Sequence, residues 1–159
     1  MLILGEINIP ELPLAGGCQC GAVRYLLSGA PIVFYICHCL ECQKQSSSAF
    51  GESFRVHQAD LKVTGEVKTY QRGSASGSVV ECDFCPNCGT RLFHRRKSNP
   101  NVLNIKAGTL DNTSWLKPAG HIWIGSKQAW VKIPKDVLAY EGQPDNYDAL
   151  IKRWQEMVE

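Results

Sequence analysis

The chain has 159 residues, a formal net charge of +2, 20% charged residues and 44% hydrophobic ones. That length fits one compact domain, which can bury roughly 70% of its unfolded surface without disulfides. The near-neutral balance excludes a broad electrostatic field for nucleic acid, and no stretch approaches the roughly 18 apolar residues of a membrane span.

Residues 1–16 read as an N-terminal arm broken by Pro10 and Pro13, with room for one short edge strand. Its first ten residues carry Glu6, have no basic opening and hold no long apolar core, so they do not read as a signal peptide. A glycine-rich turn over 16–21 leads into a strand over 22–27 with Arg24 facing outward. A continuous apolar run over 32–36 predicts a strand buried on both faces, and it delivers the chain into Cys37. Strands are predicted over 49–56, 61–63, 67–70, 79–82, 90–94 and 102–107, with a Gly/Ser turn over 73–77. The basic run Arg95-Arg96-Lys97 reads as a solvated loop. Short aromatic strands follow over 121–124 and 129–131, and Trp115, Trp123, Trp130 and Trp154 are expected in the core. Tyr147, Leu150, Ile151, Trp154, Met157 and Val158 recur at three- and four-residue steps, which predicts a helix within 143–159, capped by Asp145 or Asn146. The expectation is a mainly β domain over 17–142 with a C-terminal helix packed on it.

Seven of the eight cysteines fall in three tight groups: Cys18 and Cys20; Cys37, Cys39 and Cys42; Cys85 and Cys88. A chain read as lacking an export signal stays where thiols are reduced, so the expected address is the cytoplasm and the expected use is metal binding, with zinc as the default for clustered thiolates. Cys85-Pro86-Asn87-Cys88-Gly89 is a two-residue-spaced pair with a glycine positioned for a left-handed turn. It supplies two ligands, and the glycine-framed pair Cys18 and Cys20 is its natural complement in a closed structural site. Cys37, Cys39 and Cys42 supply only three, which is the pattern of a zinc with one open position. Closure of that site by Cys82 or by the imidazole of His38 is the alternative. His38 lies between two candidate ligands and is expected to point away from them; His57, His94 and His121 read as structural.

These motifs carry a resemblance. The segments 17–21, 37–44, 84–89 and 121–123 resemble the glutathione-dependent formaldehyde-activating enzyme family, also called the centromere protein V family, over about residues 17–142. The resemblance implies a β-rich Mss4-like fold. It implies two zinc ions per chain: a structural one on Cys18, Cys20, Cys85 and Cys88, and an exchangeable one at the active site on Cys37, Cys39 and Cys42. It also implies carbon–sulfur lyase chemistry that joins formaldehyde to glutathione or runs in reverse. Two functions stand against each other on this basis. One is a zinc-dependent lyase or aldehyde-activating enzyme acting on glutathione or another small thiol, with no nucleic acid or membrane partner. The other is a non-catalytic zinc module that binds a macromolecule, and the lack of a long basic or disordered tail weighs against it.

Overall fold

The computed structural model describes residues 5–74 and 77–158. Residues 1–4 of the expected arm, and part of the turn expected over 73–77, lie outside them. The strands are β1 (Leu14–Gly17), β2 (Arg24–Leu27), β3 (Val33–Cys37), β4 (Gly51–His57), β5 (Leu61–Thr64), β6 (Lys68–Gly73), β7 (Val79–Phe84), β8 (Arg91–Arg95), β9 (Val102–Ile105), β10 (Gly120–Ile122) and β11 (Leu138–Ala139). The α-helices are α1 (Leu40–Ser46) and α2 (Asp148–Val158). The protein is therefore mainly β with a C-terminal helix, as the patterning predicts.

One eight-stranded sheet runs β11-β10-β3-β4-β9-β8-β7-β6, and a three-stranded sheet runs β1-β2-β5. All five residues of β3 are buried, as a continuous apolar run demands of a central strand. Parallel pairing with β10 places Cys37 opposite Ile122, and antiparallel pairing with β4 places Cys37 opposite Gly51. The end of β3 thus sits between two backbones that both shape the candidate site.

Helix α2 covers this sheet with Leu150, Trp154 and Met157, all buried. Trp154 meets Phe54 edge-on at 6.5 Å, and Phe54 meets Phe34 in the same way at 6.2 Å. The Asn146 side chain accepts the Asp148 N–H at 3.0 Å, one residue before the cap position held by Tyr147, whose carbonyl accepts the Ile151 N–H. The arm is tied to the same helix: the Ile7 N–H donates to the Met157 carbonyl at 2.9 Å, and Glu6 pairs with Lys117 and Arg153.

Several local expectations differ from the structure. Gly16 and Gly17 close β1 instead of forming a turn, because the Tyr25 ring occupies the space a Gly16 side chain would need. Residues 129–131 form a turn, and Trp130 is 69% exposed and not in the core. Residues 40–46 form α1, where the sequence predicts no helix. Arg95 belongs to β8, with its guanidinium 2.9 Å from the buried Asp83 carboxylate, so it is not part of a solvated loop.

Candidate metal centre

Two sulfur clusters form, and they fall out of the local backbone. In the first, Cys18 follows β1 and Cys20 lies in the turn before β2, while Cys85 and Cys88 occupy the β7–β8 turn. Gly89 adopts φ +79°, and its N–H donates to the Cys85 carbonyl at 2.9 Å, which folds the Cys85–Cys88 knuckle as its sequence predicts. Backbone N–H groups aim at sulfur: Val23 donates to Cys18 Sγ at 3.2 Å and Cys88 to Cys85 Sγ at 3.5 Å. The Thr90 hydroxyl lies 3.2 Å from Cys88 Sγ, and hydrogen bonding from it is the main reason the Cys88 thiol is held down to about 5.

The four sulfurs of this cluster lie within 4.8 Å of one another. Cys18 Sγ is 3.6 Å from Cys20 Sγ, and Cys20 Sγ is 3.8 Å from Cys85 Sγ. A tetrahedron of thiolates around zinc, with a Zn–S bond of about 2.3 Å, has edges of about 3.8 Å. The cluster therefore fits a zinc ion. All eight cysteines are free thiols, so no disulfide competes for these sulfurs.

The second cluster joins the last residue of β3 to the first turn of α1. Cys39 is the N-cap of α1, and its sulfur accepts the Cys42 N–H at 3.3 Å. Cys42 is the one buried residue of the helix. The three sulfurs of Cys37, Cys39 and Cys42 also lie within 4.8 Å of one another, and all three residues are buried. Hydrogen bonding from Cys37 and then Cys42 holds the Cys39 thiol far below the usual thiol range, while Cys37 is pushed up by the same contacts and by burial. Clustered sulfurs of this kind are donors suited to a soft cation, which takes them as thiolates. Gly51 lets β4 approach this closely: a Cβ there would stand 3.2 Å from Cys42 Cβ and 3.1 Å from Lys106 Nζ.

His38 does turn away from both neighbouring cysteines. Its ring stacks on His121 and its Nε2 lies 2.9 Å from His121 Nδ1. Burial, followed by the His121 charge, lowers the His38 pKa to about 4, so the imidazole is neutral. The Gln43 amide donates to the carbonyls of His38 and Ser126, each at 2.9 Å, and the Ser126 hydroxyl donates to the His38 carbonyl at 3.0 Å. This clamp fixes the cysteine segment against the one that follows β10. At that junction Trp123 takes φ +59°, a left-handed backbone uncommon for a bulky residue, with its indole N–H bonded to Gln143 at 3.1 Å.

A cavity of about 60 Å³ lies against Cys37, Cys39 and Cys42, with Tyr35, Ser53, His94 and Trp123 among its other walls. Arg72, Arg95 and Arg96 line it as well. A larger groove of about 720 Å³ adjoins it and shares Cys39, Arg72 and Trp123 with it. Read in sequence, Arg95 and Arg96 belong to a solvated loop and Arg72 to no motif. Cys82 lies outside both sulfur clusters: it is buried on β7, and its sulfur accepts the Gln45 amide at 3.0 Å. His57, His94 and His121 also lie outside both clusters.

The chain is similar to known proteins. The family model of the glutathione-dependent formaldehyde-activating enzyme matches residues 13–126. A curated protein of Halomonas elongata, named "Putative glutathione-dependent formaldehyde-activating enzyme", is 28% identical over 143 residues, covering 83% of this chain and 89% of its own length. A crystal structure of a Rhodobacter sphaeroides protein aligns with a TM-score of 0.51 at 24% identity, over 64% of this chain and 91% of that one, and it is similar in fold.

Proposed function

The chain belongs to the glutathione-dependent formaldehyde-activating enzyme family, and from that premise we propose that it is a zinc-dependent carbon–sulfur lyase. Its substrates on this reading are glutathione, or another small thiol, and formaldehyde or a similar electrophile. The observation that carries the reading is the convergence of Cys37, Cys39 and Cys42 on a cavity that continues into a surface groove. Three sulfurs leave a tetrahedral ion one ligand short, and the missing ligand can come only from the cavity side.

Cys18, Cys20, Cys85 and Cys88 would hold a structural zinc, and Cys37, Cys39 and Cys42 a second. When bound at the second cluster, zinc supplies Lewis acidity that keeps a thiol substrate as its thiolate or polarises an aldehyde oxygen. The residues of the chain do the rest. The Gln43 and Ser126 clamp fixes where the three sulfurs point. The small cavity limits the size of what can approach the reacting carbon. Trp123 walls both cavity and groove, and so sets the path between them. On this reading the chemistry runs in a reducing compartment, the cytoplasm, where clustered thiols stay available to a metal.

The test is exchange of isotopically labelled formaldehyde with S-hydroxymethylglutathione, followed by NMR with zinc-loaded protein. The protein should accelerate exchange above the spontaneous rate, and Cys39→Ala should abolish the acceleration while leaving the circular dichroism intact. No acceleration by fully zinc-loaded protein would overturn the assignment.

A further inference from the structure

Resting on the thiol-substrate reading above, we propose that Arg72, assisted by Arg96, seats a carboxylate of the thiol and thereby makes the enzyme selective for anionic thiols.

The argument begins with size. A cavity of about 60 Å³ is several-fold smaller than the roughly 300–1,000 Å³ of ordinary ligand pockets. It has room for a sulfur and a short carbon fragment, not for a peptide. The body of any larger thiol must therefore lie in the adjoining groove while its sulfur reaches inward past Cys39. Arg72 borders both spaces, so a group attached a few bonds from that sulfur passes directly beside it.

Register shows which cations are available. Cys82 pairs with His94 and Arg72 with Val80, and directly opposed residues share a face of the sheet. Alternation then puts Arg96, two residues beyond His94, on the same face as Arg72. Arg95 belongs to the opposite face, and its guanidinium is committed to Asp83, with the Thr69 hydroxyl on the same carboxylate. Arg96 is half-buried and has no side-chain hydrogen bond or ion pair among the described residues. Among the described residues Arg72 donates to the Gly73 carbonyl at 3.0 Å and to no other group, and its Nε is buried without a partner there. Two guanidiniums line one cavity, and no Asp or Glu among the described residues is part of its wall. Guanidinium donors pair with a carboxylate in short, charge-assisted bonds, often in twos, so the complementary ligand is an anion. Cys39 and, in the groove, Glu41 supply part of that complement, but neither is bonded to Arg72 among the described residues, so its guanidinium is open to a substrate carboxylate.

The experiment uses zinc-loaded protein and a size-matched pair of thiols, 3-mercaptopropionate and 3-mercaptopropionamide, with glutathione as the larger anionic probe. Affinities are measured by calorimetry for the wild type, Arg72→Gln, Arg72→Lys and Arg96→Gln. The wild type should favour the acid over the amide by about tenfold, the worth of one charge-assisted contact. Arg72→Gln should bring that ratio close to one and weaken glutathione by a similar factor, with a smaller change of the same sign for Arg96→Gln. Arg72→Lys should keep most of the preference. Equal binding of acid and amide by the wild type would overturn the seat while leaving the thiol reading intact. The same loss for both probes in Arg72→Gln would also overturn it, since the arginine would then act on the metal site alone. If no thiol binds the zinc-loaded protein, the thiol reading falls and the seat falls with it.

Discussion

The two sulfur clusters differ in a way that reverses the usual link between burial and inertness. The four-sulfur cluster lies near the surface, with Cys20 exposed and Cys88 half-buried, yet it holds a full tetrahedral set. The three-sulfur cluster is buried throughout, yet it is the incomplete one and faces a cavity. Ligand count, not exposure, separates a site that can only hold an ion from one that can also bind a substrate. The scaffolds differ too. The first cluster joins two turns that are 65 residues apart at its Cys20–Cys85 contact, whereas the second lies within six residues on a strand end and a helix cap.

This contrast can be broken most sharply at the first cluster. Cys85→Ser is expected to leave the protein unfolded at 25 °C, because ion binding at such a site is inseparable from folding. Circular dichroism of Cys85→Ser beside Cys39→Ala would show it: the first spectrum collapses and the second is retained. If both collapse, or if the first zinc withdrawn by a chelator unfolds the chain, the division of roles is wrong. An intermediate effect is expected at Gly51→Val. The added side chain presses on Cys42 and Lys106, and overpacking of this kind costs about 1–3 kcal/mol. Denaturant titration should show that loss, together with weaker zinc retention at the second cluster only.

Cys82→Ser sharpens the ligand count. Cys82 sits apart from both clusters, accepting the Gln45 amide and donating to the Val80 carbonyl at 3.9 Å, so the variant should keep its full zinc content, as measured by atomic absorption. Loss of one equivalent would mean that Cys82 closes the second site. The smallest effect is expected far from both clusters. Hydrogen bonds from Lys117 and then Arg153 lower the Glu6 carboxyl from 4.5 to about 2. A depressed carboxylate contributes stability that is fully present above its unfolded value and is lost as pH falls through its folded one. Glu6→Gln should therefore cost slightly at pH 7, and the difference from wild type should vanish between pH 4.5 and about 2. Because all three partners are substantially exposed, added salt should shrink it further. A difference that persists at pH 2 would show that charge is not its cause.

The cysteine spacings were legible because thiol chemistry needs proximity, and short spacings guarantee it whatever the fold. The period of α2 was legible for a similar reason: an apolar stripe reports the face that must be buried. Helix α1 was hidden because seven residues give too little period, and its N-cap is a cysteine, not one of the usual capping residues. The arginine wall was hidden for a different reason. Arg72 and Arg96 are brought to one face only by the pairing of β6, β7 and β8, and separation along the chain carries no trace of that register. Read in sequence, Arg96 was merely part of a basic run; on the folded sheet it lines the cavity beside three thiols.

The spans of the two clusters also set an order of assembly. A chain growing from its N-terminus carries all three sulfurs of the second cluster once Cys42 has been made, but the first cluster gains its last sulfur only at Cys88. Helix α1 is local and can offer its thiols early, whereas joining Cys20 to Cys85 must close a long loop of still-flexible chain. The open cluster therefore has donors ready before the closed one exists, at a stage when β10 has yet to be made and cannot wall it. In the growing chain, the three-sulfur cluster has its donors first, and the four-sulfur cluster has them last.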